Sequence, residues 1–302
     1  MDRIDAMRLF LKVVETGSLS AAARALHSPL PTVSRKIGEM ERLLGAKLII
    51  RTNRNVALTD AGRLYLSAAK DILERIDEAE RRVSGEYLTP KGDLTMTAPI
   101  VFGRLHVLPV VTDFLRAFPE INMRLTLGDR NSNLVEDQID LALRIGDLAD
   151  SSLMALRLGA IRSRVYGSPK YLQRNTQPLT PYDLSDQQCI AFEGVQSSRS
   201  WQFSDGKQTF SVDIRPRLSV NTAEAAVDAA ASGLGLTRVM SYQASNLVGQ
   251  GLLMPVLEQY ELPASPVHLI YLPSAIMPLK LRALIDFATP RLRAALQSNR
   301  SE

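Results

Sequence analysis

Apolar residues recur at helical spacing through the first 44 positions of the chain. In the opening segment, Met7, Phe10 and Val13 lie three residues apart, which predicts an amphipathic helix that ends at Gly17. Ser18 is then placed to cap a short second helix whose buried face holds small alanines. After a turn, the same spacing resumes from about residue 29 to residue 44. The pattern therefore predicts three short helices in close succession.

The third predicted helix has two contrasting faces. Val33, Ile37 and Met40 lead to Leu44 at steps of four, three and four, which forms an apolar stripe. The opposite face is polar and cationic near the helix start. Such a face suits the major groove of DNA, where Arg reads guanine and Thr contacts the methyl group of thymine. For a single helix, a solvated surface face is the alternative. The polar set is Thr32, Ser34, Arg35 and Lys36.

Two short apolar runs around a basic turn follow the third helix. Residues 48–50 and 56–58 predict the strands of a hairpin, and Arg51 and Arg54 stand between them. Arginines in such a wing hold phosphates or enter a minor groove. Three helices with a basic wing are typical of a winged helix-turn-helix. The combination favours DNA binding over the solvated-face alternative.

A long run without proline, and without glycine after Gly62, extends from residue 60 to residue 83. Apolar residues in it repeat at alternating steps of four and three, with charged residues between them. This pattern predicts a long linker helix that forms a two-stranded coiled coil with a second chain. A helix that lies on its own domain is the alternative. The predicted dimer seam consists of Tyr65, Ala69, Ile72, Ile76, Ala79 and Val83.

From Gly92 onward, short β patterns alternate with helical ones, which predicts an α/β architecture. A hinge is predicted before it, over 85–92, because Gly and Pro residues interrupt the helical pattern. The expected domains are a winged helix-turn-helix at 1–59, a linker helix with hinge at 60–91, and an α/β domain at 92–302. Within the last domain, the pattern predicts strands at 94–97, 121–127 and 140–145 and helices at 102–118 and 279–296.

Positive charge is concentrated at the N-terminal end of the chain. Residues 1–59 hold ten basic and five acidic residues, an excess larger than the net charge of +4 for all 302 residues. This distribution places the cationic surface where the predicted DNA-binding helices lie. A hydrophobic content of 45% and a charged content of 23% are typical of a globular chain.

Missing patterns exclude other classes of protein. No run of about 18 uncharged apolar residues and no basic-then-apolar N-terminus occurs, so we expect a cytoplasmic protein that does not enter a membrane. Cys189 is the single cysteine and no Cys/His cluster has ligand spacing, so neither a metal nor a cofactor is expected. No nucleophile-elbow or phosphate-loop motif is present, and we expect no enzyme. The attached winged helix also argues against a solute-binding transport component.

Six ordered, ungapped segments at the N-terminal end carry a resemblance to a known family. They are Gly17-Ser18-Leu19, Ala21-Ala22-Ala23-Arg24-Ala25-Leu26, Pro31-Thr32-Val33-Ser34-Arg35-Lys36-Ile37, Glu41-Arg42-Leu43-Leu44-Gly45, Leu48-Ile49-Ile50-Arg51 and Leu58-Thr59-Asp60-Ala61-Gly62. Together they resemble the DNA-binding end of the LysR-type transcriptional regulators. The chain departs from that family at Ile49, where Phe is usual, and at Leu30, where a polar residue is frequent. The first change keeps the packing apolar, and the second bears on base preference.

The remainder of the chain resembles the effector-binding part of the same family. The segments include Thr97-Ala98-Pro99, Asp140-Leu141-Ala142-Leu143-Arg144-Ile145-Gly146, Ser168-Pro169-Lys170-Tyr171-Leu172 and Ala231-Ser232-Gly233-Leu234-Gly235. That part of the family is similar to type II periplasmic-binding proteins. The resemblance implies lobe I at about 92–161 and 267–302, lobe II at about 162–266, and a ligand cleft between them. Ser132-Asn133 replaces a Val-Asp pair that is common in the family, which removes a charge near the cleft.

Effector contacts in such a cleft are expected at strand ends and helix starts. Free amides at helix starts suit a carboxylate or another anion. Each polar candidate also has a structural alternative: Asn221 as a helix cap, Arg144 as a partner of Asp140 or Asp129, and Thr97 as a strand residue. The predicted effector contacts are Thr97, Ala98, Pro99, Ile100, Phe102, Asp129, Arg144, Gly146, Asn221 and Thr222.

The resemblance implies a sequence-specific transcriptional regulator whose activity a small organic effector modulates. It implies binding to double-stranded promoter DNA at two-fold-related half-sites, as a homodimer or homotetramer, together with contact with RNA polymerase. The expected location is the bacterial cytoplasm, at the nucleoid. The predicted DNA-contacting residues are Ser18, Leu30, Pro31, Thr32, Ser34, Arg35, Lys36, Arg51 and Arg54.

Overall fold

The computed structural model describes residues 2–51, 56–83, 89–129, 133–148, 153–193, 199–274 and 277–298. The chain divides into two compact units, Met1–Pro90 with Asn133–Gln138, and Lys91–Ser132 with Ile139–Glu302. Of the predicted sites, Arg54 lies outside the described residues, as do the side chains of Arg51 and Val83.

The first unit contains a winged helix-turn-helix followed by a long helix. Its elements are α1 (Arg3–Thr16), α2 (Leu19–Ala25), α3 (Leu30–Leu44), β1 (Ile49–Arg51), β2 (Val56–Leu58) and α4 (Asp60–Val83). β1 and β2 pair antiparallel. Ser18 Oγ accepts the amide of Ala21 at the start of α2 (3.4 Å), and Gly17 and Gly45 end α1 and α3 in the left-handed region, each with φ of 65°. The predicted helices and hairpin are confirmed.

The core of this unit lies between the first three helices. Phe10 and Val13 of α1 meet Val33 and Ile37 of α3, and none of the four has exposed surface. Removal of these side chains from water supplies the main stabilisation of the unit. Because the apolar stripe of α3 points into this core, its polar face is left at the surface.

The second unit consists of two lobes, each built on a five-stranded mixed sheet. The sheet of lobe I has the order β4-β3-β5-β14-β6 and that of lobe II the order β11-β8-β12-β7-β13, with a β9–β10 hairpin beside the latter. The strands are β3 (Gly92–Ala98), β4 (Ile121–Leu127), β5 (Leu141–Ile145), β6 (Met154–Ile161), β7 (Ser163–Gly167), β8 (Cys189–Phe192), β9 (Ser200–Ser204), β10 (Thr209–Asp213), β11 (Pro216–Val220), β12 (Leu236–Met240), β13 (Met254–Val256) and β14 (Ser265–Tyr271).

The chain crosses between the lobes twice, between β6 and β7 and again between β13 and β14. This connectivity confirms the predicted two-lobed α/β architecture. The helices are α5 (Ile100–Phe102), α6 (Leu108–Ala117), α7 (Pro169–Arg174), α8 (Ala223–Ala231), α9 (Ser241–Gly249) and α10 (Leu279–Ser298), with 3-10 turns at Pro181–Asp186 and Glu258–Tyr260.

The helix predicted at 102–118 contains a π-helical turn. α5 and α6 form one continuous helical segment with that turn, Gly103–Val107, between them. Gly103 permits the close approach of this segment to β4, because a Cβ on it would lie 2.3 Å from Leu127 Cδ2. The sequence did not show this turn, since apolar spacing alone does not separate a π turn from the α-helix around it. Such turns are frequent at functional sites.

Candidate DNA-binding surface and effector cleft

The predicted DNA-reading residues lie on the first two turns of α3. Leu30 is 43% exposed, Pro31 and Arg35 are also exposed, and Thr32 and Lys36 are half-buried. Ser34, on the same turns, is half-buried as well. The guanidinium of Arg35 donates to Glu39 Oε1 at 2.9 Å, one helical turn away. A surface pair of this kind is weak, so the Arg35 side chain can exchange it for a base or a phosphate.

An open groove of about 520 Å³ runs beside the start of α3. Arg24 and His27 on its wall are polar residues that the sequence pattern did not select, although they flank the turn between α2 and α3. His27 has φ of 48°, a left-handed conformation that turns the chain sharply into α3. The groove is lined by Ser20, Ala23, Arg24, His27, Ser28 and Leu30.

A buried carboxylate joins the recognition helix to the wing. Glu41 of α3 is 4% exposed, and its Oε1 accepts the amides of Leu48 (2.9 Å) and Ile49 (3.3 Å), while Lys47 Nζ donates to its Oε2 at 2.8 Å. Burial alone would raise the pKa of Glu41, but the bonds from Lys47 and the two amides outweigh it and hold the pKa below its ordinary value of 4.5. The charged side chain therefore fixes the angle between α3 and β1.

The start of α4 is hydrogen-bonded to Lys47 and Leu48, the residues just before β1. Thr59 Oγ1 donates to the carbonyl of Lys47 (2.6 Å) and accepts the amide of Gly62 (2.9 Å), and the Thr59 amide donates to the carbonyl of Leu48 (3.0 Å). Gly62 sits so close to Leu48 that a Cβ would lie 1.9 Å from the Leu48 carbonyl oxygen. The linker helix is thus held against the base of the wing.

The residues of the predicted dimer seam share one side of α4 but differ in burial along it. Ala69 is fully buried, and the ring of Tyr65 contacts Phe10 of α1 at 5.5 Å between centroids, so both residues face their own chain. At Tyr65 and Ala69, α4 therefore packs on its own chain, which is the alternative to a coiled coil. Ile72 is 41% exposed, Ala79 is exposed and Ile76 is half-buried. The heptad prediction is corrected accordingly: Tyr65 and Ala69 pack internally.

At the end of β3, lobe I offers few side chains to a ligand. Thr97 is 1% exposed and Ala98 and Phe102 are fully buried, so these three predicted contacts belong to the core; Pro99 and Ile100 are half-buried. Thr97 therefore fits the alternative given for it above, a residue that completes the strand and does not contact the effector. Asp129, at the end of β4, accepts the backbone amide of Ile100 at 3.0 Å. The predicted cleft residues Ile100 and Asp129 are therefore in direct contact.

Arg144 on β5 and Gly146 directly after that strand are fixed by the sheet. Arg144 is 9% exposed, its interactions are made within the chain, and burial lowers its pKa. Gly146 has φ of 111°, and its amide donates to the carbonyl of Pro266 at 2.8 Å, so it continues the pairing with β14. A ligand of the cleft would meet little of the Arg144 side chain, and Gly146 has none.

In lobe II, the start of α8 lies among the predicted contacts. Thr222 caps this helix, with its Oγ1 accepting the amide of Ala225 at 3.3 Å, so the cap is Thr222 and not Asn221. Asn221 is exposed. Glu224 follows in the first turn and lies 3.8 Å from Arg104 of the π turn in lobe I.

An aromatic cluster joins the lobes beside this pair. The ring of Phe102 in lobe I meets Tyr242 of α9 edge-on at 5.3 Å, and His106 lies 4.8 Å from Phe102 and 6.1 Å from Tyr242. Burial lowers the pKa of His106. Burial also raises the pKa of Tyr242, and the negative charge of Asp129 raises it further, so the phenol stays protonated.

Two family models cover nearly the whole chain. One, described as the LysR substrate binding domain, matches residues 89–293, and the other, described as a bacterial regulatory helix-turn-helix protein of the lysR family, matches residues 4–63. The chain belongs to the LysR family. It is a LysR-type transcriptional regulator with a DNA-binding end and an effector-binding domain.

Individual relatives of this LysR-type regulator support the same family assignment. An HTH-type transcriptional regulator of Xanthomonas campestris is 35% identical over 94% of this chain and 84% of its own length. An HTH-type transcriptional repressor of Pseudomonas aeruginosa is 34% identical over 95% of this chain and 91% of its own. The solved structure of CrgA, a LysR-type transcriptional regulator from Neisseria meningitidis, is 30% identical, has a TM-score of 0.61, and covers 95% of this chain and 98% of that one.

Four residues at the lobe interface were not found from the sequence of this regulator: Arg104, His106, Glu224 and Tyr242. The sequence gives little indication of these four residues, because each lies in a helical segment whose apolar residues have the usual helical spacing. Among the described residues, no helix is long and apolar enough to cross a membrane, and no group of three or more His, Cys, Asp or Glu side chains is arranged to hold a metal ion.

Proposed function

We propose that this regulator reads promoter DNA with the first two turns of α3, assisted by the wing. The observation that carries the proposal is the exposed polar face of α3, which Glu41 holds at a fixed angle to β1. Direct base contacts are assigned to Thr32, Ser34 and Arg35, and phosphate contacts to Lys36 and the wing arginines. Ser18, Leu30 and Pro31 complete the surface.

Effector binding between the lobes is proposed to change DNA bending or the contact with RNA polymerase at the bacterial nucleoid.

Arg35→Ala is expected to relax specificity at one base position, with a loss of about 1–3 kcal/mol of discrimination there, because a bidentate contact to guanine is removed. Arg42→Ala is the matched control, since Arg42 is exposed on the last turn of the same helix. Fluorescence anisotropy with the regulator's own promoter, with single-base variants and with random DNA, at salt near physiological, measures the effect. Equal affinity of the unmodified protein for promoter and random DNA would refute the proposed function.

We propose further that the chain acts as a homodimer, or as a homotetramer built from such dimers, and that α4 supplies a dimer face that keeps Ile72 and Ala79 of the predicted heptad and takes Leu64 and Ala68 in place of Tyr65 and Ala69. Leu64 is 61% exposed, Ile72 is 41% exposed, and Ala68 between them is exposed, so the three form an apolar stripe at steps of four. Ala79 extends it. Tyr65 and Ala69, which face their own chain, border this stripe, because residues three and four apart on a helix are neighbours. A stripe of this size on a charged helix is suited to a second copy of the same face.

Replacing both Leu64 and Ile72 with Glu is expected to weaken self-association at least about tenfold, because two acidic side chains would face their own copies across the pair. Lys70→Glu, which adds an acid at an exposed position off the stripe, is the control and should leave association unchanged. Sedimentation velocity over a concentration series measures both. If the control dissociates the protein as much as the double variant does, α4 pairs through another face.

A further inference from the structure

A small cavity in lobe II lies beside the two crossovers that join the lobes. Ser163 begins β7 directly after the first crossover, and Glu261 lies in the second, between β13 and β14. The enclosed volume is about 10 Å³, which is room for one occupant of the size of a water molecule. The polar residues of its lining are Ser163, Gln202, Arg238, Tyr260 and Glu261.

This cavity lies on the face of the lobe II sheet that is turned away from α8 and α9. Successive side chains of a strand point to opposite faces. On β12, Val239 packs in the same core as Tyr242 of α9, whereas Leu236 packs in a separate core with Phe203 of β9. Arg238 shares the face of Leu236. The cavity is therefore distinct from the start of α8, where lobe II carries its predicted effector contacts.

Arg238 brings a positive charge to this cavity without a carboxylate to match it. Its guanidinium carbon lies 5.5 Å from the centroid of the Phe203 ring, a cation–π contact. Among the described residues, no Asp or Glu lies within ion-pair distance of Arg238. Burial lowers the pKa of Arg238 to about 10. A desolvated cation of this kind is costly, and an anion bound beside it offsets the cost.

The carboxylate in the cavity wall is already paired. Glu261 has a side chain that is 10% exposed; it lies 2.8 Å from Arg164 Nε and accepts a hydrogen bond from Arg162 Nη1 at 3.5 Å. Burial would lower the pKa of Arg164, but the charges of Glu261 and Glu258 raise it. Three arginines thus stand against two glutamates, and the excess positive charge belongs to Arg238.

We propose that this cavity binds a small anion, chloride, against the guanidinium of Arg238. Ser163, Gln202 and Tyr260 carry side-chain donors that can complete the shell of such an ion. The volume excludes a polyatomic anion such as sulfate or an organic carboxylate. The bound ion neutralises Arg238 and contacts the first residue of β7, so it stabilises the lobe II side of the hinge.

Bromide is the probe that locates the site, because it replaces chloride and scatters X-rays anomalously. Crystals of the full-length protein grown with sodium bromide should show an anomalous peak within hydrogen-bonding reach of the Arg238 guanidinium. This measurement needs no variant and does not depend on how a substitution folds. A cavity that holds water only gives no such peak, and that result would overturn the proposal.

Thermal unfolding of the full-length protein tests the site in solution. Exchanging sodium gluconate for about 0.5 M sodium chloride at constant ionic strength should raise the Tm by roughly 2–4 °C, because the ion binds the folded state. Arg238→Met should lose this rise. The variant is expected to fold, since it replaces an unmatched buried charge with an apolar side chain of similar length.

Arg174→Met is the matched control, because Arg174 is exposed on α7 of the same lobe. This control should keep the full response to chloride. Equal chloride responses of the unmodified protein, Arg238→Met and Arg174→Met would contradict the proposal. A bromide peak seen together with such equal responses would mean binding at crystal concentration only.

Discussion

Replacing Gly62 with alanine is expected to unfold the base of the wing, at a cost of roughly 3 kcal/mol. The added Cβ would lie 1.9 Å from the carbonyl oxygen and 2.9 Å from the carbonyl carbon of Leu48. These are backbone atoms, and they cannot withdraw freely: the Leu48 carbonyl accepts the Thr59 amide at 3.0 Å, and the Leu48 amide donates to Glu41 at 2.9 Å. Relief of the clash must therefore break at least one of these bonds.

Gly38→Ala is the matched control for that variant. Gly38 lies within α3, and a Cβ on it would meet no atom within 4 Å. The substitution should stabilise the helix by up to about 1 kcal/mol, because alanine has the better helix propensity. Hydrogen exchange of the amides in α3 and β1 of the full-length chain reports the local free energy of opening. The explanation fails if Gly62→Ala and Gly38→Ala change that free energy equally.

Local signals in the sequence were sufficient for the elements of the DNA-binding end. Ser18, Gly17 and Gly45 act through residues within five positions of themselves, so their capping roles follow from the chain alone. The recognition face of α3 follows from helical periodicity in the same way. Contacts between distant positions do not: Asp129 meets Ile100 across 29 residues, and no pattern near either residue indicates that bond.

Periodicity also failed to assign the two sides of α4. Repeats of three and four residues are produced both by a coiled coil and by a helix that packs on a neighbour, so Ala69 fitted either interpretation. The structure separates them, because Ala69 is fully buried by its own chain whereas Leu64, omitted from the predicted seam, is 61% exposed. Which side faces a partner depends on where α1 lies, and that is a property of the tertiary fold.

Glu41→Ala is expected to destabilise the winged helix by about 2–4 kcal/mol, because it leaves the buried amides of Leu48 and Ile49 without an acceptor. Lys47→Ala is the control that isolates the ion pair: the Lys47 side chain is 79% exposed, so its loss should cost less than about 1 kcal/mol. Urea unfolding followed by hydrogen exchange of α3 and β1 measures both variants. Equal losses from the two would mean that the amides do not depend on Glu41.

The same residue gives the stability of the winged helix a defined pH dependence. The pKa of Glu41 in the folded protein lies below its ordinary value of 4.5, so its contribution to stability is present above that value and is lost as the pH falls through the folded pKa. Glu41→Gln keeps one acceptor oxygen for the amides and cannot ionise. The unmodified protein should therefore exceed this variant in stability at pH 7, and the difference should shrink in acid. A difference that is constant from pH 7 to acid would show that the charge of Glu41 contributes nothing, and that its role is limited to accepting the two amides.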